Sequence, residues 1–171
     1  MRRPAGEAGE ALMRLILAAV GRLKDAEREL CERYVERFDA AGRALKLGPL
    51  QISEIPEGRA ATAELRKADE AQRLLKVASG ADVTVALDGG GRAMASEAFA
   101  RWLAGERDGG ARTMAFLIGG PDGHGDEALA AGKLRLSLGA MTLPHGLARI
   151  VLAEQLYRAA TILSGHPYHR A

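Results

Sequence analysis

Three glycine-rich segments, each following an apolar run, carry the residues best suited to hold a ligand. They are Leu87-Asp88-Gly89-Gly90-Gly91, Ile118-Gly119-Gly120-Pro121-Asp122-Gly123 and Leu138-Gly139-Ala140-Met141-Thr142-Leu143-Pro144. Glycine lets a ligand approach the main chain closely and permits positive φ. Backbone amides and carbonyls exposed in this way can read an adenine edge without a dedicated side chain. Tight turns make the same demand for glycine, so composition alone leaves both readings open. Other nucleotide signatures are missing. No Gly-Lys-Ser/Thr follows either glycine loop, so a phosphate-cradling P-loop is unsupported. The G-x-G-x-x-G spacing with a later acid is also absent from a strand–helix context, which disfavours a dinucleotide oxidoreductase.

Reactive side chains add little. His166 and His169 stand three apart with Pro167 between them and no thiol nearby. A structural or RNA-contacting tail is favoured there over a metal pair, and no metal site is expected. Cys31 is the single cysteine, so no intrachain disulfide can form and a reducing, cytoplasmic compartment is the natural reading. It lies beside Leu30 on a charged helix and reads as an inert small side chain. No Ser-His-Asp order is compelling.

These segments need a scaffold, and the intervening sequence alternates strand and helix. Arg14 to Gly21 is an apolar run suited to a strand buried on both faces. Leu23, Ala26, Leu30, Tyr34 and Phe38 recur at helical spacing until Gly42, Gly48 and Pro49 break the pattern. Leu50 to Ile55 alternates as a strand and stops at Pro56. Thr62 to Ala78 is helical, with Leu65, Leu74 and Leu75 on the expected inner face. Asp82 to Asp88 is a β-branched strand ended by glycines, and Ser96 is placed to cap a helix reaching Leu103. Thr113 to Ile118 and Leu134 to Leu138 are two more strands, separated by a short helix near Asp126 to Ala131. The longest helix opens at Pro144 or a neighbour and runs to about Ser164. The order predicts an α/β domain with a mainly parallel sheet flanked by helices, whose strand-end loops are the expected ligand site.

The chain has 171 residues, of which 47 % are hydrophobic and only 4 % aromatic, so Leu, Ala, Val and Ile must build the core. Residues 1–12 are expected to be an unstructured leader, with residues 13–171 one domain and Met13 an alternative start. Arg2 and Arg3 precede an apolar stretch, but Glu7, Glu10 and Arg14 interrupt it and argue against an export signal. No apolar run approaches the roughly 20 residues needed to span a bilayer. The formal charge of +2 lacks the clear basic excess of most phosphate-neutralising proteins. From Leu134 onward, however, Arg135, Arg149, Arg158 and Arg170 face only Glu154, and His145, His166 and His169 lie there too. Apolar residues surround much of the last helix (Leu147, Ile150, Val151, Leu152, Leu156, Ile162, Leu163), which suits either a core helix or, slightly favoured, one that also forms a homodimer interface.

The segments LDGGGRAMASEAFA, FLIGGPDG and LSLGAMTLPHGLARIVLAEQLYRA, closed by HPYHR, together resemble the ribosomal RNA large subunit methyltransferase H family. That family is a minimal branch of the SPOUT methyltransferases, and the likeness spans Met13 to Ala171. In the N-terminal half the match is mainly by pattern, with VGRLKDAE its clearest piece. The resemblance implies a SPOUT fold with a C-terminal trefoil knot, which general topology rules would not suggest. It implies S-adenosylmethionine held by backbone groups at Leu87, Gly119, Gly120, Leu138, Gly139, Ala140, Met141, Thr142 and Leu143. It further implies a homodimer in which one subunit's tail completes the partner's site. The implied substrate is a pseudouridine of 23S ribosomal RNA, methylated at N3 in the assembled 70S ribosome. His169 and Arg170 become candidates beside the reacting nucleotide, and Tyr168 a candidate to stack on a base. Asp122 and His124 fall in a variable part of the glycine loop and are assigned no role. A non-enzymatic ribosome-associated factor and a nucleotide enzyme acting on a small molecule are the competing readings.

Overall fold

The structure is a computed structural model that describes residues 12–170. The leader expected over residues 1–12 lies outside the described residues except for Leu12, as does Ala171. Five parallel strands form one sheet: β1 (Met13–Val20), β2 (Leu47–Ile55), β3 (Val83–Ala93), β4 (Thr113–Ile118) and β5 (Leu134–Ser137). Their order is β2-β1-β4-β3-β5. The helices are α1 (Asp25–Gly42), α2 (Ala63–Val77), α3 (Ser96–Asp108), α4 (Asp126–Ala131) and α5 (His145–Ser164).

The two-residue period of the central strands divides the core between both faces of the sheet. Leu15, Leu17 and Ala19 of β1 and Met114, Phe116 and Ile118 of β4 point to one side. There they meet Phe38 of α1, Phe99 and Leu103 of α3, and Leu152 and Leu156 of α5. Ala18, Val20, Ala115 and Leu117 point to the other side, against Ala71 and Leu74 of α2 and Ala128 of α4. Continuous apolar runs are what such two-sided burial requires.

Several expectations are corrected. In α1 Phe38 is buried as expected, but Cys31 faces inward with it while Ala26 and Leu30 are exposed. Leu65 is 58 % exposed, because it sits in the first turn of α2, where its amide is capped by the Thr62 hydroxyl at 3.2 Å. β2 begins three residues early, at Leu47, and tolerates Pro49 because it is an edge strand. Ser96 does not cap α3; Ala95 holds that position, and the Ser96 hydroxyl donates to Gln155 Oε1 at 2.7 Å, tying α3 to α5. α3 also runs past Leu103 to Asp108 and ends before Gly109 and Gly110.

The largest correction concerns β3, which does not stop at Asp88. Val85 to Leu87 pair with β5, the register shifts, and Arg92 and Ala93 pair with β5 again. Residues 88–91 form the intervening bulge. Gly91 is required there: a Cβ on it would lie 2.6 Å from the Arg135 carbonyl oxygen. The strand thus continues by letting main chain press on main chain.

Arg149 of α5 is 1 % exposed and fastens that helix to the sheet. Its guanidinium donates to Glu54 of β2, to the Gly21 carbonyl at 2.9 Å and to the Val20 carbonyl at 3.4 Å. Glu54 also accepts from the Leu23 amide at 2.8 Å. Partial burial pushes the Glu54 carboxyl up, but the Leu23 amide and the Arg149 guanidinium outweigh it and hold the group below its ordinary value. Replacing one partner of a buried pair strands the other, so Arg149→Met is expected to lower stability by about 3–5 kcal/mol in urea unfolding. Glu54 stabilises the fold above its unfolded pKa of about 4.3, and that contribution is lost as the pH falls through the lower folded value. The Arg149→Met variant should show a shallower loss of stability over this acid range.

Candidate functional site

The bulge within β3 and the loops that follow β4 and β5 converge on one cleft of about 690 Å³ outside the carboxyl ends of the sheet. All nine residues expected to hold a cofactor line it: Leu87, Gly119, Gly120 and Leu138 through Leu143. The volume lies within the range usual for small-molecule sites, roughly 300–1,000 Å³. Gly139 has φ +129°, a left-handed conformation that side chains resist, and the Ser137 hydroxyl accepts from its amide at 3.2 Å. A Cβ on Gly89 or Gly139 would meet no heavy atom within 4 Å, so both leave free space at the cleft wall. A flat purine edge and a ribose need such room beside exposed main chain, and these residues fit S-adenosylmethionine.

The loop after β4 is pinned on two sides. Gly120 and Gly123 close a turn through Pro121 and Asp122, with the Gly123 amide 3.0 Å from the Gly120 carbonyl oxygen. Arg66 of α2 binds Asp122 through two bonds of 2.8 and 3.2 Å, and its hydrogen bonding keeps the Asp122 carboxyl below the usual carboxylate range. On the cleft side, His124 Nε2 lies 3.0 Å from the Leu117 carbonyl oxygen of β4. Gly119 is confined for a different reason than access to a ligand. Its Cβ would stand 3.1 Å from the Gly123 carbonyl carbon and 3.2 Å from the His124 amide nitrogen.

His124 and His145 belong to the cleft wall, and sequence reasoning assigned neither to it. The signal was available for His145, which follows Pro144 directly at the mouth of the third loop. For His124 no spacing rule pointed inward, since the fold of its turn decides its direction.

The structure does not bring Tyr168, His169 and Arg170 to this cleft within one chain. They form a short 3₁₀ turn (Pro167–Arg170) that folds back on α5 after Gly165 ends the helix at φ +76°. The Tyr168 hydroxyl donates to Glu154 Oε1 at 3.0 Å, and its ring lies 4.6 Å from that of Tyr157. Arg158 binds the same carboxylate at 2.7 Å and covers the Tyr168 ring at 5.2 Å. Burial, aided by the hydrogen bond to Glu154, pushes the Tyr168 phenol well above its ordinary value. Glu154 is nine residues along α5 from His145, about 14 Å at the helical rise. Among the described residues no group of three or more His, Cys, Asp or Glu side chains gathers as a metal site. No helix among them is long and apolar enough to cross a membrane. Cys31 is buried, and burial raises its thiol pKa.

Comparison with known proteins places this geometry. A family described as "Predicted SPOUT methyltransferase" matches residues 13–169. A protein of Brucella anthropi named ribosomal RNA large subunit methyltransferase H is 52 % identical over 160 residues, covering 93 % of this chain and all of its own length. A protein of the same name from Xanthobacter autotrophicus is also 52 % identical over 160 residues, with the same coverage of both chains. Among solved structures, a probable methylase family protein from Haemophilus influenzae superposes with a TM-score of 0.52 at 10 % identity. That alignment covers 93 % of this chain and 70 % of the other, and it speaks to the fold alone. A five-stranded parallel α/β sheet with a glycine-rich cleft, matched over nearly its whole length to these relatives, belongs to the SPOUT methyltransferases and, within them, to the ribosomal RNA large subunit methyltransferase H family.

Proposed function

We propose that this chain transfers the methyl group of S-adenosylmethionine to N3 of a pseudouridine in 23S ribosomal RNA, acting on the assembled 70S ribosome. The observation that carries the reading is the convergence of the β3 bulge and the loops after β4 and β5 on one cleft, in a chain whose relatives are named for methylation of large-subunit ribosomal RNA. When bound, the cofactor supplies a methyl group activated by its sulfonium. Leu87, Gly119, Gly120 and Leu138 through Leu143 hold it by main-chain amides and carbonyls. The chain's remaining task is to align the acceptor nitrogen and remove its proton. Holding reactants in near-attack geometry is worth about 7–11 kcal/mol, and a positioned base roughly 10²- to 10⁴-fold.

The tail supplies the polar groups for that second task, with His169 and Arg170 beside the nucleotide and Tyr168 against a base. Its anchorage on Glu154, away from the cleft of its own chain, supports a homodimer in which each tail serves the partner's cleft. Met141 and Leu143, which line the cleft, are 87 and 36 % exposed, and Leu147 in the first turn of α5 is 43 % exposed, apolar surface suited to such a contact. The knot belongs to the same reading, because the segments after β4 and β5 meet around one cleft before α5 returns across the sheet. The weak net charge fits an enzyme that reads an assembled ribosomal surface rather than gripping free RNA.

Transfer of labelled methyl to 70S ribosomes, separated subunits and free ribosomal RNA tests the reading. Label on one pseudouridine of 23S RNA, greatest with 70S particles, is expected; cofactor binding without label on any of them would move the activity to another acceptor. Deleting the chain from Tyr168 onward should leave calorimetric cofactor affinity intact while abolishing methylation. Retained methylation would remove the tail from the site. Gly89→Val, which fills free space at the cleft wall, should weaken cofactor binding by at least about tenfold with little change in thermal unfolding. Gly119→Val instead pushes on Gly123 and His124, so it should lose cofactor binding and also about 1–3 kcal/mol of stability.

A further inference from the structure

His124 presents an unusual hydrogen-bonding state in the cleft wall. A carbonyl oxygen only accepts, so the contact of Nε2 with Leu117 places the ring proton on Nε2. The neutral ring then offers Nδ1 as an acceptor, and Nδ1 is closed to solvent with no hydrogen-bond partner among the described residues. Burial disfavours a second proton and keeps the ring below its ordinary pKa. The Leu117 and Leu87 carbonyls and the carboxylates of Asp88 and Glu70 pull the other way. Asp88 opens the bulge of β3 at the cleft, and Glu70 comes from α2, 3 % exposed, with Oε1 taken by the Gly58 amide at 2.9 Å. Of the other charged groups nearby, Asp122 is neutralised by Arg66, Lys67 pairs with Glu64 at 3.0 Å, and His145 stands in the same cleft at the start of α5.

Resting on the cofactor reading above, we propose that His124 is a positioning residue of the cleft, and that a proton taken up on its ring opposes binding of the cationic methyl donor. S-adenosylmethionine carries a sulfonium charge in addition to its zwitterionic amino-acid end, so its net charge near neutrality is positive. Seating it beside His124 removes water and adds a like charge, and both disfavour the imidazolium. A protonated ring also competes for the Leu87 carbonyl, one of the main-chain groups of the cleft. Linkage is reciprocal: a cofactor that repels the proton is repelled by it to the same extent. The neutral ring leaves the Leu87 carbonyl free and holds the loop after β4 on Leu117, while the charged ring undoes the first of these.

The test is calorimetric titration with S-adenosylmethionine from about pH 5 to about pH 8, in buffers of different ionisation heat, on the wild type and His124→Gln. Glutamine keeps an N–H for the Leu117 carbonyl and takes up no proton in this range. For the wild type, Kd should rise by up to about tenfold per pH unit below the free ring's pKa, with protons released on binding. The His124→Gln variant should lose that slope. An NMR titration of the wild type, independent of any variant, should show the His124 ring losing its proton when cofactor is added at acid pH. A slope that persists in His124→Gln assigns the proton to another group and overturns the proposal; so does a flat wild-type profile. Absence of cofactor binding at every pH would instead defeat the cofactor reading, and this inference with it.

Discussion

Burying Arg149 between the carboxyl ends of β1 and β2 obliges its neighbours to be acceptors, and the sheet supplies them. The Val20 and Gly21 carbonyls terminate β1, and Glu54 stands near the end of β2. Strand ends leave carbonyls unpaired, so a guanidinium placed there satisfies groups that would otherwise be buried without partners. The consequence reaches beyond stability. Arg149 lies four residues into α5 from His145, and the loop that feeds α5 is the third wall of the cleft. Fixing the first turns of α5 over the ends of β1 and β2 therefore fixes where residues 138–144 must pass.

The other walls are set by main-chain approach rather than by side chains. β3 bulges at residues 88–91 and rejoins β5, and the missing Cβ of Gly91 lets the two backbones touch. The loop after β4 turns tightly enough that Gly119 faces Gly123. A cleft built this way has rigid amides and carbonyls in fixed directions, and little side-chain entropy is lost when a ligand enters. Its polar side chains are few, which is why His124, with a free acceptor shut off from solvent, carries weight out of proportion to its size.

Much of this was legible in the sequence because glycine reports main-chain demands directly. The loops after β4 and β5, the parallel α/β order and the boundaries of α2, β4 and α4 follow from residue types and spacing alone. What escaped has physical causes. In α1 the expected Phe38 is buried, but helical spacing admits two neighbouring stripes, and only packing on α5 and β2 selects Cys31 over Ala26 and Leu30. The run of glycines after Leu87 reads as a stop, although it is a bulge, because the strand's continuation depends on pairing with β5, whose residues begin some forty positions later. His124 was unassignable for the same reason: its direction comes from a turn whose geometry depends on Arg66 in α2.

The role proposed for the tail poses the sharper question of how its groups could serve a cleft that they do not line. α5 is 20 residues of continuous helix, about 30 Å long, with His145 at one end and the Gly165 cap at the other. Glu154, which holds Tyr168 and Arg158, lies near its middle and is itself shared with Gln155. Moving Tyr168 to its own cleft would break that cluster and leave Glu154 with less of its hydrogen bonding, in a region already packed with Tyr34 and Tyr157. A rigid helix therefore makes delivery within one chain costly, whereas the proposed delivery from a second copy would not require the Glu154 cluster to break. On that reading, α5 acts as a spacer: it keeps each chain's tail out of its own cleft and presents it, preorganised, to another.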